Sequence, residues 1–192
     1  MAVTGRFQPF HRGHLELVRM AASWSDRMIG DGVVADPSAE LWIGITNPDQ
    51  RSQQEHPDSA HRHLPEANPF TYWQRQRMIA AALRGECPDL RVVIVPFPLD
   101  APETWFDYIP RDAQQFVRSF TPWERSKAQA LRAGGYEVTE IEGDPNTVVR
   151  ASAIRSRWHD PSTVSADLPE PIAREVHRMV DSGAIAGLGA VR

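Results

Sequence analysis

The chain has 192 residues, 41% of them hydrophobic and 24% charged, with a formal net charge of −4 at pH 7. That length and balance predict one globular domain, residues 1–192, with a genuine core, and the slight acidic excess argues against a general nucleic-acid binder. A single cysteine, Cys87, excludes an intrachain disulfide and a CxxC zinc site, and no apolar run is long enough to span a bilayer. With no basic-then-apolar leader either, a cytoplasmic protein without a membrane partner is expected.

In chain order, Met1 to Phe7 reads as a short buried strand ending at Gly5-Arg6. Leu15, Leu17, Val18 and Met20 to Ala22 recur with helical spacing between Gly13 and about Met28. Leu41 to Ile45 has the length and apolarity of a second strand. The polar stretch from Asn47 to Asn68 is longer than most connections inside a compact domain, which points to a functional loop over 47–69. Pro69-Phe70-Thr71 opens a helix running to about Leu83, with Met78, Ile79, Ala82 and Leu83 as its buried face, and Gly85 and Pro88 end it.

Arg91 to Val95 is a third strand, and a short helical segment spans about Glu103 to Ile109. Gln115 to Val117 is the fourth strand, Pro122 to Ala133 a helix closed by Gly134-Gly135, and Tyr136 to Ile141 the fifth strand. Two C-terminal helices follow within 150–182, from Ala151 to Trp158 and from Glu170 to Asp181, the second with Pro171 at an acceptable early position. Strands separated by helical segments imply an α/β fold: a Rossmann-like, doubly wound, mostly parallel five-stranded sheet with helices on both faces. Such sheets bind ligands beyond the carboxyl ends of their strands, where the strand order reverses.

The first strand leads directly into Gly5-Arg6-Phe7-Gln8-Pro9-Phe10-His11-Arg12-Gly13-His14. A helix N-terminus presents unpaired N–H groups and a positive dipole end, so it attracts phosphate. His11 at the strand-to-helix turn and His14 in the first helical turn add donors that can follow charge onto a reacting phosphate, and Gly13 permits close backbone approach. A metal-binding pair and a structural capping histidine are the alternative readings, although no third metal ligand stands nearby. Near the other end, Ser152 at a helix start can offer a hydroxyl, and Arg155, one turn on, a planar guanidinium. The alternative there is a solvated helix face carrying Arg150, Arg155 and Arg157.

These residues resemble the HxGH nucleotidyltransferase superfamily, and within it the archaeal-type nicotinamide mononucleotide (NMN) adenylyltransferases. Asn68-Pro69-Phe70-Thr71-Tyr72-Trp73-Gln74-Arg75 is similar to that family's Asn/Asp-Pro-Phe-Thr-x-x-Glu-Arg helix start, and Arg150-Ala151-Ser152-Ala153-Ile154-Arg155 to the superfamily's Ser-x-x-x-Ile-Arg signature. The matches run from Gly5 to Arg155 in the family's order. The resemblance implies His11, His14 and Arg155 as catalytic residues, and Gly5, Arg6, Phe7, Gly13 and Ser152 along the nucleotide. It also implies Arg75 at the acceptor's phosphate and Trp105 stacked on its nicotinamide ring, and Asp100, just after the third strand, can contact a polar acceptor group. On composition alone a Trp near Phe106 and Tyr108 reads as core, and an acidic turn residue is the other reading of Asp100.

The expected reaction is attack of an acceptor phosphate on the α-phosphorus of a nucleoside triphosphate, with pyrophosphate leaving and Mg²⁺ bridging phosphate oxygens, no protein metal ligands being assigned. ATP and NMN are the expected substrates. The alternatives are cytidylyl or adenylyl transfer, CTP included, to another phosphorylated or phosphonate metabolite, and a nucleotide-binding regulator without turnover. A homo-oligomer fits the family, and nucleic acid is not an expected partner. Three departures bear on substrate: Gln74 stands where the family has Glu, the 47–69 loop is longer, and Ser119-Phe120-Thr121-Pro122-Trp123-Glu124 replaces a Ser-Gly-Asn-Pro type turn. His56, His61 and His63 in the long loop read as solvated residues, with metal binding or closure over substrate as the alternative.

Overall fold

The computed structural model describes residues 1–30, 40–49, 63–142, 148–183 and 185. Their contacts divide the chain into two compact units, Met1–Arg6 with Glu16–Pro48 and Asp89–Thr147, and Phe7–Leu15 with Asp49–Pro88 and Val148–Arg192.

The first unit holds the sheet: β1 (Ala2–Gly5), β2 (Leu41–Thr46), β3 (Val92–Phe97), β4 (Gln115–Arg118) and β5 (Val138–Ile141). Every neighbouring pair is parallel and the order is β3-β2-β1-β4-β5, so the sheet is wholly rather than mostly parallel. The chain builds outward from β1 to β3, then returns to the opposite side of β1. The order therefore reverses between β1 and β4, and Arg6 continues directly from the carboxyl end of β1.

Successive strand residues point to opposite faces, and β4 shows both covered. Phe116 meets Trp24 of α1 (Arg12–Gly30) edge-on at 5.8 Å. Its neighbour Val117 joins a cluster with Trp105, Ile109, Tyr136 and Leu131, the last from α3 (Pro122–Ala133). Helices thus lie on both faces of this sheet, as the alternating pattern of strands and helical segments implies. The helical segment after β3 is a 3₁₀ helix, Pro102–Asp107.

The second unit is helical. It contains a short 3₁₀ turn, Pro65–Ala67, then α2 (Tyr72–Glu86), α4 (Ala151–Arg155), α5 (Pro161–Val164) and α6 (Glu170–Asp181), together with the Phe7–Leu15 segment. α6 buries Ile172, Ala173, Val176 and Met179, one stripe at helical spacing, and packs against α2. The helix expected from Ala151 to Trp158 stops at Arg155. Pro161 disfavours helical geometry at the residue before it; Asp160 is extended (φ −111°, ψ 101°) and caps α5 through its side chain.

Candidate active site

The decapeptide forms a tight, largely buried turn. Phe7 has φ +51°, a left-handed conformation that costs a non-glycine residue about 1 kcal/mol or more and persists only where its surroundings hold it. Its buried ring supplies that hold, lying 5.6 Å from Phe10 and edge-on to His14 at 4.9 Å. His14 also stacks on Phe10 at 5.5 Å and on His11 at 3.7 Å, the two imidazoles only 26° from parallel.

The backbone N–H of His11 donates to Nδ1 of His14 at 3.2 Å. An accepting Nδ1 carries no proton, so neutral His14 bears its hydrogen on Nε2 and can present it as a donor. Within the first turn of α1 the carbonyl of His11 accepts the N–H groups of His14 and Leu15, while the N–H of Arg12 donates to Asp167 O at 2.9 Å. The amino end of α1 is therefore partly satisfied by the protein itself.

Gln8 is the joint of this unit. Its side chain is 2% exposed; the amide donates through Nε2 to Phe70 O at 2.9 Å, and its Oε1 accepts the Phe70 N–H at 3.0 Å. Its own carbonyl accepts Nη1 of Arg155 at 2.6 Å. Three motifs far apart in sequence therefore meet at one residue. Sequence reasoning missed Gln8; the available signal was an amide set between Phe7 and Pro9 in an apolar turn, where a polar group needs partners.

Beyond Phe70, Thr71 caps α2 with a full capping box. The Gln74 N–H donates to the Thr71 hydroxyl at 3.4 Å, and Gln74 Oε1 accepts the Thr71 N–H at 2.8 Å. The box needs only an acceptor oxygen at its third helical position, which glutamine supplies as well as glutamate. The Gln74 departure is thus neutral for this local structure. Arg75 follows, 0% exposed, its Nε 3.3 Å from Thr71 O, and burial pushes its pKa down to about 10.

α4 carries Ser152 exposed in its second position and Arg155, half-buried, in its last. Burial lowers the Arg155 pKa. Arg157 is no idle surface arginine: it donates to Ala153 O, to Thr163 O and to the Asp167 carboxylate, at 3.0, 2.9 and 2.8 Å. It thereby steadies the Ala166–Asp167 segment on which Arg12 is held.

In the sheet unit, Gly5 closes β1, Arg6 follows it, and Asp100 is exposed in the turn after β3. Trp105 requires a correction. It is 1% exposed, with Phe97 stacked at 5.3 Å and Tyr136 at 6.2 Å, and its indole N–H donates to Pro98 O at 2.9 Å. Almost wholly covered, and with its one polar group engaged inside the protein, Trp105 is a core side chain here and presents no exposed ring face to a ligand. The Ser119–Glu124 turn makes another capping box, Glu124 Oε2 accepting the Thr121 N–H at 2.8 Å. At the carboxyl end of β1 the Lys127 ammonium donates to Thr4 O. Of the loop histidines only His63 is described; His56 and His61 lie outside the described residues. Among the described residues no group of three or more His, Cys, Asp or Glu stands together to hold a metal ion, and no helix is long and apolar enough to cross a membrane.

A parallel sheet of order 3-2-1-4-5 with both faces covered defines a Rossmann-like α/β protein, and the motif on its first crossover groups imidazole and guanidinium donors suited to an anion. Phosphonoformate cytidylyltransferase of Streptomyces viridochromogenes is 36% identical over 140 residues, 72% of this chain and 68% of that protein. Nicotinamide-nucleotide adenylyltransferase of Pyrococcus horikoshii is 27% identical over 163 residues, 81% of this chain and 74% of that one. A bifunctional NMN adenylyltransferase/ADP ribose pyrophosphatase from Francisella tularensis shares the fold, with TM-score 0.61 and 15% identity over 96% of this chain. This chain spans half the length of that structure. No protein-family profile matches. The chain belongs to the nucleotidyltransferase superfamily, and it is a nucleotidyltransferase enzyme.

Proposed function

We propose that the 192 residues act as one nucleotidyltransferase domain joining a nucleoside triphosphate to a small phosphorylated or phosphonate acceptor. An acceptor oxygen attacks the α-phosphorus and forms the new P–O bond. The bond from that phosphorus to the bridging oxygen breaks, and pyrophosphate leaves with the electron pair. A phosphate or phosphonate oxygen is already ionised near neutral pH, so no general base is needed, and the protein's part is positioning and charge stabilisation. His11 and His14 would donate to the α-phosphate, Ser152 and Arg155 would hold the departing pyrophosphate, and Gly5, Arg6, Phe7 and Gly13 would line the nucleotide.

Arg75 would meet the acceptor's phosphate, since a deeply buried guanidinium gains much from an arriving anion, and Asp100 would contact a polar group of it. Mg²⁺ would supply charge neutralisation between phosphate oxygens. It would arrive on the triphosphate, with no protein ligand assigned to it. A cytoplasmic homo-oligomer with no nucleic-acid or membrane partner completes this reading. The observation that carries it is the Gln8 joint, which brings the two-histidine turn and Arg155 together.

Two substrate pairs have support. ATP with NMN, yielding NAD, draws on the decapeptide, on the Asn68–Arg75 motif and on the archaeal relatives. CTP with a phosphonate is favoured by the higher identity to the phosphonoformate enzyme, 36% against 27%, and by the core position of Trp105. Pyrophosphate release separates them, measured with ATP or CTP against NMN, nicotinate mononucleotide and a set of small phosphonates. Turnover with ATP and NMN alone selects the first pair, and turnover with CTP alone rules it out. Tight triphosphate binding without release from any pair would mark a regulator and overturn the catalytic reading.

A further inference from the structure

We propose that Gln8 is a positioning residue: its side-chain amide sets where Arg155 and the imidazole pair stand with respect to one another. The inference rests on the reading that Arg155 holds the departing phosphates. Both halves of the Gln8 amide are spent on the backbone of one residue, Phe70, at 2.9 and 3.0 Å. A two-bond contact of this kind fixes direction as well as distance, as strand pairing does. The Gln8 carbonyl that receives Arg155 at 2.6 Å belongs to the same residue, so the amide contact locates the arginine's acceptor. A bond from an ionised donor is short and strong, which ties the guanidinium to wherever that carbonyl is placed. Three residues further on, the His11 ring begins the 3.7 Å stack with His14.

The side-chain type is specific to this task. Glutamate has no donor for Phe70 O and would set a carboxylate against that carbonyl. Asparagine is a methylene too short to reach both Phe70 groups from the same backbone position. Methionine fills the volume and makes neither bond. A buried amide chosen only for packing would be replaced by methionine at little cost.

A double-mutant cycle tests the assignment. Gln8→Met, Arg155→Met and the double variant are compared with wild type for calorimetric binding of inorganic pyrophosphate and for kcat/KM in pyrophosphate release. If Gln8 acts through Arg155, Gln8→Met weakens pyrophosphate binding about tenfold in the wild-type background and less than about twofold where Arg155 is already gone. The same factor in both backgrounds would show an effect on stability alone and overturn the proposal. Should Gln8→Met fail to fold, Gln8→Asn keeps both polar groups and completes the same cycle. Coupled pyrophosphate binding without transfer from any substrate pair would leave the Gln8 assignment standing and remove the catalytic reading. Transfer with additive effects would do the reverse, and a wild type that binds no pyrophosphate overturns the proposal outright.

Discussion

Replacing Trp105 separates a core side chain from a ligand platform. The ring is 1% exposed, packed beside Phe97 and Tyr136, and its N–H donates to Pro98 O. Truncation to alanine removes the whole indole, and large-to-small changes of this kind cost about 3–5 kcal/mol. Trp105→Phe keeps most of the apolar contact but leaves the Pro98 carbonyl without its donor, for about 1–2 kcal/mol. In a chain of 192 residues, where 1 kcal/mol moves the melting temperature by about 2–4 °C, the alanine variant should melt about 6–20 °C lower and the phenylalanine variant about 2–8 °C lower. Thermal unfolding followed by circular dichroism gives these shifts, and steady-state pyrophosphate release on the phenylalanine variant gives the acceptor KM. That KM should stay within about twofold of wild type, since no ligand contact is lost. An unchanged melting temperature together with a steep rise in acceptor KM would refute the reasoning and return Trp105 to the acceptor site.

Other measurements bear on the same geometry. His14→Ala should lower kcat far more than it weakens triphosphate binding, because its donor counts most as charge builds on the reacting phosphate; equal losses would contradict that role. Gly134→Ala should destabilise by about 1–3 kcal/mol, its new methyl meeting Cζ3 of Trp105 and lying 2.8 Å from Cε3, whereas Gly85→Ala meets nothing within 4 Å and should be neutral to slightly stabilising. Burial pushes the Tyr136 phenol up to about 12 from its ordinary value near 10. A pKa raised by folding contributes stability that is complete below the unfolded value and disappears as pH rises through the folded one. Stability should therefore fall as pH rises from about 10 towards 12, and Tyr136 phenolate absorbance should appear near pH 12 or with unfolding if that comes first, which Tyr136→Phe would show by difference. The Glu140 carboxyl is held below its usual range, first by the Ser119 hydroxyl and then by Arg132. Glu140→Gln should accordingly reduce stability above about pH 5 and make no difference once the wild-type carboxylate is protonated.

Much of the fold was legible because its signals are local. Proline and glycine punctuation marked α3 at its observed ends and α6 likewise, and the apolar runs marked all five strands within two residues or so. The reading overshot at Trp158: α4 stops at Arg155, and a separate short helix, α5, starts at Pro161 behind the extended Asp160. The proposed site residues His11, His14, Ser152 and Arg155 sit in short motifs, so proposing them needed only local sequence.

By itself, then, the amino-acid order determined the alternation of strands and helices, the presence of a two-histidine turn after the first strand and the reaction class, the first two resting on neighbours within one helical turn or one strand. Only tertiary structure decided which partner each polar group takes. It placed Trp105 in the core rather than against a ligand, turned Arg157 from a surface charge into a clamp, and made Gln8 the contact between Phe70 and Arg155. Those pairings join residues as many as 147 positions apart, and no local pattern encodes them. They follow from the requirement that each polar group taken out of water find a partner, a condition that only the folded chain can meet.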